Sequence, residues 1–422
     1  MINYVKRVIS NNDYKRIIEN ILSLFSLQGL NYLLPLITFP YLTRILGPEK
    51  YGLIAFATAF IAYFQILTDY GFNLSATREI SIKREKENSV SKIFSSIMVT
   101  KFSLMVLSFT VMTVIVFSFD RFRSNWLLYF LTFGLVIGNL LMPSWFFQGM
   151  EKMKYISILN IGTLLIYTAL IFIFIRIPSD YIYVPLINSI GAITIGIIAL
   201  IIINKNFNVK FILPSINDIK YQMQKGWHLF TSTLAISLYT TSNAFILGIF
   251  VSSSIVGYYA VAQTIMNALQ GLIVPISQAI YPYFSKIQSE NPLKAKIELK
   301  KILLLIGVLS LGISVVLAFC SPIIVEVLAG HKYLQSTPIL QVMVFAIFAV
   351  GVNNILGIQG LVAFGHEKYF SKIVIFAGLL HLIILLLLIF LLGSLGAAIA
   401  VVITELIIGI IEYMILRRLK IL

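Results

Sequence analysis

Three basic side chains stand inside or at the edge of long apolar runs, where a charge needs a specific reason. Arg44 closes one apolar segment, Arg78 follows the next, and Lys101 lies inside a third. A charge at the centre of a bilayer costs about 2.5–3.5 kcal/mol on insertion scales. Guanidinium and ammonium groups bind phosphate oxygens through charge-assisted hydrogen bonds. The three cations are therefore candidates for binding the phosphate oxygens of an anionic ligand; the alternative for Lys101 is extension of its amine to the inner lipid headgroups.

Amide side chains lie at helical spacings inside other apolar segments. They are Gln65, Asn243, Gln263, Asn267 and Gln270. The last three follow one another at i, i+4 and i+7, which places them on one helical face. Amides supply both hydrogen-bond donors and acceptors, as sugar hydroxyls require. The pattern predicts a polar, sugar-binding lining for a cavity, and the alternative is hydrogen bonding between packed helices.

Acidic side chains inside apolar segments form a third group. Asp69 lies four residues after Gln65, and Glu405 lies near the middle of the last segment, seven residues before Glu412. Asp69 and Glu405 are candidates for coupling transport to protons or cations. Burial at bilayer depth favours the protonated form of a carboxyl, so such a group can bind and release a proton. The alternative for Glu405 is a protonated or hydrogen-bonded structural carboxyl.

The elements that must position these side chains are transmembrane helices. The 422 residues are 59% hydrophobic and only 12% charged, with a mean hydropathy of +0.94. These values are typical of polytopic membrane proteins, and the apolar segments predict an all-α fold with twelve transmembrane helices. Lys and Arg concentrate in alternate connections, which by the positive-inside rule predicts that both termini lie in the cytoplasm. The net charge of +15 is thus a topology signal and predicts no nucleic-acid binding.

A weak internal repeat divides the chain. Residues 52–57 align with residues 257–262, an offset of 205 residues that pairs Gly52 with Gly257. Six spans in each half would give the two halves the same orientation, with a pseudo-two-fold axis along the membrane normal. We therefore expect two six-helix lobes, residues 1–205 and 227–422, joined by a cytoplasmic linker at residues 206–226.

Four stretches carry a family resemblance: residues 41–52, 69–72, 76–79 and 147–155. They resemble the O-antigen and capsule repeat-unit flippases, of the superfamily that also holds drug/cation antiporters and the lipid II flippase. Arg44 and Arg78 stand at positions of these motifs. Within the first stretch, Gly47-Pro48 predicts a helix break, because proline lacks an N–H and disfavours a helical residue before it.

The resemblance implies a flippase of the bacterial inner membrane. It would move an undecaprenyl-diphosphate-linked oligosaccharide repeat unit from the inner to the outer leaflet by alternating access through a central cationic, polar cavity. The expected partners are that glycolipid, membrane lipids, and the polysaccharide polymerase and chain-length proteins. No cofactor and no metal is expected: Cys320 is the single cysteine, and no phosphate-binding Gly-rich loop followed by Lys is present. The alternatives are a polytopic glycosyltransferase or O-antigen polymerase, which the short outer connections disfavour, and a drug/cation antiporter of the same superfamily.

Overall fold

The computed structural model describes residues 12–271, 284 and 287–422, with side chains from residue 35 onward except residue 36. Within that part of the chain the regular structure is helical, without a strand. The first nine helices are α1 (Asn12–Asp69), α2 (Phe72–Lys83), α3 (Glu87–Ser118), α4 (Asp120–Arg123), α5 (Trp126–Leu141), α6 (Ser144–Gly149), α7 (Lys154–Phe174), α8 (Tyr183–Phe207) and α9 (Ile216–Thr240).

The remaining helices are α10 (Ser242–Phe250), α11 (Ser253–Gly271), α12 (Pro292–Ala329), α13 (Thr337–Met343), α14 (Phe345–Asn353) and α15 (Glu367–Arg418). Short 3₁₀ helices cover Pro178–Ile182 and His331–Ser336, and a π-helix covers Asn354–Val362. The π-helix continues directly from α14.

Eight helical stretches among the described residues are long and apolar enough to cross a membrane, or nine if the bent pair α9 and α10 is one span. Two of the longest helices are broken at a glycine: α1 at Gly47 (φ 70°) and α15 at Gly393 (φ 58°). The predicted break at Gly47-Pro48 is confirmed. The all-α, multi-span class is confirmed as well, while the count of twelve spans stays a prediction.

The chain forms two compact units. The first unit comprises Tyr41–Gly248 and Ser252–Gly257, and the second comprises Ile249–Val251, Tyr258–Leu422 and the chain up to Pro40. The predicted linker at residues 206–226 contains the end of α8, residues 208–215 without regular secondary structure, and the first turns of α9. The predicted division into two six-helix lobes stays a prediction.

Local capping determines where α9 begins. The Ser215 hydroxyl accepts a hydrogen bond from the Asp218 amide (3.2 Å), and the Asp218 carboxylate accepts one from the Ser215 amide (3.1 Å). This reciprocal capping box satisfies two backbone donors at the helix start. The preceding residues are held to α3, because the amides of Lys210 and Ile212 donate to the hydroxyls of Ser91 and Ser95.

The core of the first unit is rich in aromatic side chains. Trp145, Phe146 and Phe147 of α6 are completely buried, as is Phe72 of α2. The second unit has its own apolar cluster, which includes Leu299 of α12, Ile355 and Leu361 of the π-helix, and Leu416 of α15. Each candidate site described below lies inside one of these units.

Candidate functional site

A sharp turn after α1 places Asp69 at the end of its helix. Tyr70 (φ 45°) and Gly71 (φ 73°) both take the left-handed conformation. A Cβ on Gly71 would lie 2.7 Å from the Leu229 Cβ, so only glycine lets α9 pack this closely against the turn. The Tyr70 ring stacks on Phe230 of α9, with ring centroids 4.7 Å apart. The motif at residues 69–72 is therefore a packing junction that fixes the position of Asp69.

Asp69 forms a buried ion pair with Lys101. The Lys101 Nζ atom on α3 lies 2.7 Å from Asp69 Oδ1, and the lysine side chain is only 1% exposed. The other carboxylate oxygen, Oδ2, accepts a hydrogen bond from the Asn139 amide on α5 (3.2 Å). Three helices thus converge on one carboxylate. The ammonium of Lys101 does not extend away from its helix toward an edge of the unit; it is neutralised by Asp69.

Arg78 lies on α2 and is exposed. Among the described residues it has no ion-pair partner. Its neighbour Arg84, by contrast, is bound by Glu151 at 2.6 Å, and this carboxylate raises the pKa of the Arg84 guanidinium. Arg78 therefore presents an uncompensated positive charge, as phosphate binding requires.

The second motif, at residues 147–155, positions the helix that carries Arg78. Gly149 approaches α2 so closely that a Cβ there would lie 2.8 Å from the Ile80 side chain and 3.0 Å from the Thr77 carbonyl oxygen. The Thr77 hydroxyl in turn donates to the Trp145 carbonyl (3.2 Å). The close approach of Gly149 and the hydrogen bond to the Trp145 carbonyl thus hold α2 in place.

The other predicted residues of the first unit occupy different environments. Arg44 is exposed on α1, just before the break at Gly47, and Gln65 is half-buried one helical turn before Asp69. Asn243 is 2% exposed and donates to the Tyr239 carbonyl (3.2 Å) within the bent pair α9–α10. Asn243 therefore bonds to backbone, whereas the Gln65 amide makes no hydrogen bond within the described part of the chain.

A second polar cluster of the first unit was not anticipated from the sequence. Glu79 of α2 is 6% exposed, and its carboxylate binds Lys83 (3.0 Å), the Gln222 amide (3.1 Å) and Lys225 (3.8 Å). Gln222 and Lys225 belong to α9, so the cluster joins α2 to α9 beside a cavity of about 400 Å³. The spacing of Glu79 and Lys83, at i and i+4, was the available signal.

The predicted amide stripe lies on α11 in the second unit. Gln263 and Gln270 are half-buried and Asn267 is exposed. Their side chains form no hydrogen bond to any residue that the structure describes. Amides that are left without a protein partner are available to a ligand or to water, as the sugar-binding prediction requires.

Glu405 lines a cavity of about 940 Å³ in the second unit. The Asn353 amide donates to the Glu405 carboxylate (2.8 Å) and also to the Glu405 backbone carbonyl (2.9 Å). The walls are mostly apolar, and Lys300 and Arg417 supply the basic side chains. Glu405 is therefore a hydrogen-bonded carboxyl that borders an open space.

The fold is that of a multi-span helical membrane protein. The described structure is similar to an inward-facing MATE family multidrug transporter of the MOP superfamily (TM-score 0.72, 14% identity, covering 92% of this chain and 94% of that one). It is also similar to the lipid II flippase MurJ in an inward closed conformation (TM-score 0.71, 15% identity, covering 93% and 87%). At these identities the likeness shows the fold.

The sequence shows the family. The family described as "Polysaccharide biosynthesis protein" matches residues 17–288. A protein of Escherichia coli strain K12 named "Putative O-antigen transporter" is 35% identical over 404 residues, 96% of this chain and 97% of the relative. A protein of the same name from Shigella dysenteriae is 30% identical over 393 residues, 92% and 97%. The chain belongs to this polysaccharide biosynthesis family, and the resemblance seen in the motifs is confirmed.

Proposed function

We propose that this protein is a flippase that carries an undecaprenyl-diphosphate-linked oligosaccharide repeat unit from the inner to the outer leaflet of the bacterial cytoplasmic membrane. The observation that carries the proposal is the match, over 96% of the chain, to a relative named for O-antigen transport. The fold shared with MurJ, a lipid II flippase, supports it. Transport of this kind breaks no covalent bond, so the proposal assigns no catalytic residue.

In this proposal the positively charged side chains bind the diphosphate of the glycolipid. Arg44 and Arg78 are exposed on α1 and α2, and guanidinium groups bind phosphate oxygens in a bidentate manner. The free amides of Gln65 in the first unit and of Gln263, Asn267 and Gln270 in the second would bind sugar hydroxyls. Asn243 would act with them once its bond to the Tyr239 carbonyl is exchanged for one to the sugar.

Asp69 and Lys101 give the first unit a means of coupling. A proton or cation that neutralises Asp69 would release the Lys101 ammonium, which could then bind the diphosphate. Removing one partner of a buried ion pair is costly, about 3–5 kcal/mol, so the released lysine would favour an anionic ligand strongly. Glu405 would play the corresponding part in the second unit, where Asn353 holds its carboxylate beside a cavity.

The proposal includes twelve spans in two six-helix lobes, with both termini in the cytoplasm. The breaks at Gly47 and Gly393 support the count, because each divides a helix that is long enough for two spans.

Deletion of the gene in its host tests the proposed function. We expect surface polysaccharide to disappear and the lipid-linked precursor to accumulate on the inner leaflet, with restoration by a plasmid copy. If the deletion strain keeps normal surface polysaccharide, the proposal fails.

A further inference from the structure

Glu412 is a carboxyl that the proposed function does not use, and its surroundings are unusual. Its side chain is 0% exposed, and neither carboxylate oxygen has a hydrogen-bond partner among the residues that the structure describes. Buried polar groups are nearly always hydrogen-bonded, so each exception needs a physical explanation.

The carboxyl packs against the π-helix Asn354–Val362. Glu412 Oε1 lies against Gly357, at a place where a Cβ on that glycine would clash with the oxygen. The contact has a counterpart one helical turn away, where the Asn353 Oδ1 atom lies against Gly409 of α15. Asn353 at the end of α14 thus faces a glycine of α15, and Glu412 of α15 faces a glycine of the π-helix that continues from α14. The Phe370 ring also borders Gly357, so the surroundings of the carboxyl are apolar.

Among the residues that the structure describes, no positively charged side chain pairs with Glu412. The π-helix contributes only the amides Asn354 and Gln359 as polar side chains, and neither carries a charge. In the first part of α15, His381 is bound to the Thr404 hydroxyl (2.8 Å). On its own helix Glu405, seven residues before Glu412, is also a carboxyl and supplies no positive charge.

Two basic side chains of this region, Lys300 and Arg417, line the cavity beside Glu405. Neither of them pairs with Glu412 in the described chain. Transferring an unpaired carboxylate into such surroundings is so unfavourable that the group keeps its proton instead.

We propose that Glu412 is a proton-binding site: its neutral carboxyl stabilises the packing of α15 on the π-helix, and loss of its proton to water releases that packing. In the release step the Oε–H bond breaks, and water entering from the cavity lined by Gly409 and Glu405 accepts the proton. The resulting carboxylate cannot remain against Gly357, so residues 354–362 must repack. A π-helix is suited to this change, because its widened turns are less stable than α-helical turns and occur mostly at functional sites.

Infrared spectroscopy of the purified full-length protein tests the protonation state directly. We expect the carbonyl band of a protonated carboxylic acid at neutral pH, its loss in Glu412→Gln, and its retention in Glu405→Gln. Glutamine matches the neutral acid in shape, so the variant should fold; Glu412→Leu should also lose the band and serves if the glutamine variant is unstable. A band whose intensity is unchanged by both substitutions at position 412 would overturn the proposal.

Amide hydrogen exchange tests the link to the π-helix. As the pH is raised, residues 354–362 should exchange faster in the wild type than in Glu412→Gln at the same pH, a comparison in which the intrinsic exchange chemistry cancels. Equal exchange at every pH would overturn the coupling. Any effect of this proton-binding site on export rests on the proposed function, but the infrared and hydrogen-exchange measurements do not. Failure of the flippase proposal would therefore show in export and leave these two results intact.

Discussion

Lys101 Nζ and Asp69 Oδ1 lie 2.7 Å apart, and the lysine is almost completely removed from solvent. The two residues are 32 positions apart in the sequence and belong to different helices. Taking both charges out of water is costly, so their attraction and the additional bond from Asn139 must offset that cost. A pair of this kind is sensitive to the loss of either partner, which makes it the best place to test coupling in the first unit.

The first prediction concerns this pair. Asp69→Asn leaves the Lys101 ammonium buried without a counter-charge and should lower the free energy of unfolding by about 3–5 kcal/mol, toward the lower value because Asp69 is 21% exposed. The double variant Asp69→Asn/Lys101→Met should be less destabilised than the sum of the single variants, by about 0.5–3 kcal/mol. Thermal unfolding in detergent provides the measurement, and strictly additive losses would show that the contact contributes nothing.

The second prediction concerns the uncompensated arginine. Arg78→Ala should abolish surface polysaccharide while protein abundance stays unchanged, because the side chain is exposed and unpaired in the described structure. Arg78→Lys should restore part of the activity, since lysine keeps the charge but loses the bidentate geometry. Arg84→Ala is the matched control: it removes an arginine of the same region that is already bound to Glu151, and should leave export nearly normal. Arg44→Ala should behave like Arg78→Ala. Normal export by both Arg78→Ala and Arg44→Ala would remove the support for phosphate binding.

The third prediction separates ligand-binding amides from structural ones. Gln270→Leu keeps the approximate volume and removes an amide that has no hydrogen-bond partner among the described residues, so export should fall while stability is retained. Gln341→Leu is the control, because its amide donates to the Ala318 carbonyl (3.3 Å) and should affect stability by about 0.5–1.5 kcal/mol. Export assays and thermal unfolding on both variants give the comparison. Normal export by Gln270→Leu would indicate that the stripe on α11 serves helix packing.

The fourth prediction is topological. Single cysteines are introduced into a Cys320→Ser background, which removes the one native thiol. Cysteines at Ser253 or Ser394 should react with an impermeant thiol reagent added to intact cells, and a cysteine at Ser89 should react only after permeabilisation. The reverse pattern would invert the assignment of the two faces and place both termini outside.

The sequence predicted the class of fold well because hydropathy and charge placement are properties of single segments. The helix break at Gly47 was also predictable, since Gly-Pro restricts the backbone locally. The Asp69–Lys101 pair was not: both residues were identified as candidates, but for separate roles, because spacing along a chain does not reveal which helices pack together. For the same reason the joining of α2 to α9 through Glu79 was missed.

In the second unit, the sequence did not reveal that two similar carboxyls have different surroundings. Glu405 and Glu412 lie seven residues apart on one face of α15, and their sequence contexts are almost alike. In the structure Glu405 borders a cavity and is hydrogen-bonded to Asn353, whereas Glu412 faces Gly357 of the π-helix. The difference arises from the π-helix, whose nine residues read as an ordinary apolar helical segment. Wide helical turns have no local sequence signature, so this feature appears only in three dimensions.

The central claim is that the protein moves a diphosphate-linked glycolipid between leaflets, and transport in reconstituted vesicles tests it most directly. The glycolipid is extracted from host cells that lack the protein, carries a fluorescent label on its sugar, and is confined to the inner leaflet. An impermeant quencher outside then reports its arrival. We predict that quenching proceeds with time in vesicles that contain the wild-type protein, and that vesicles with Arg78→Ala match protein-free vesicles. Quenching by the wild type at the protein-free rate would contradict the claim.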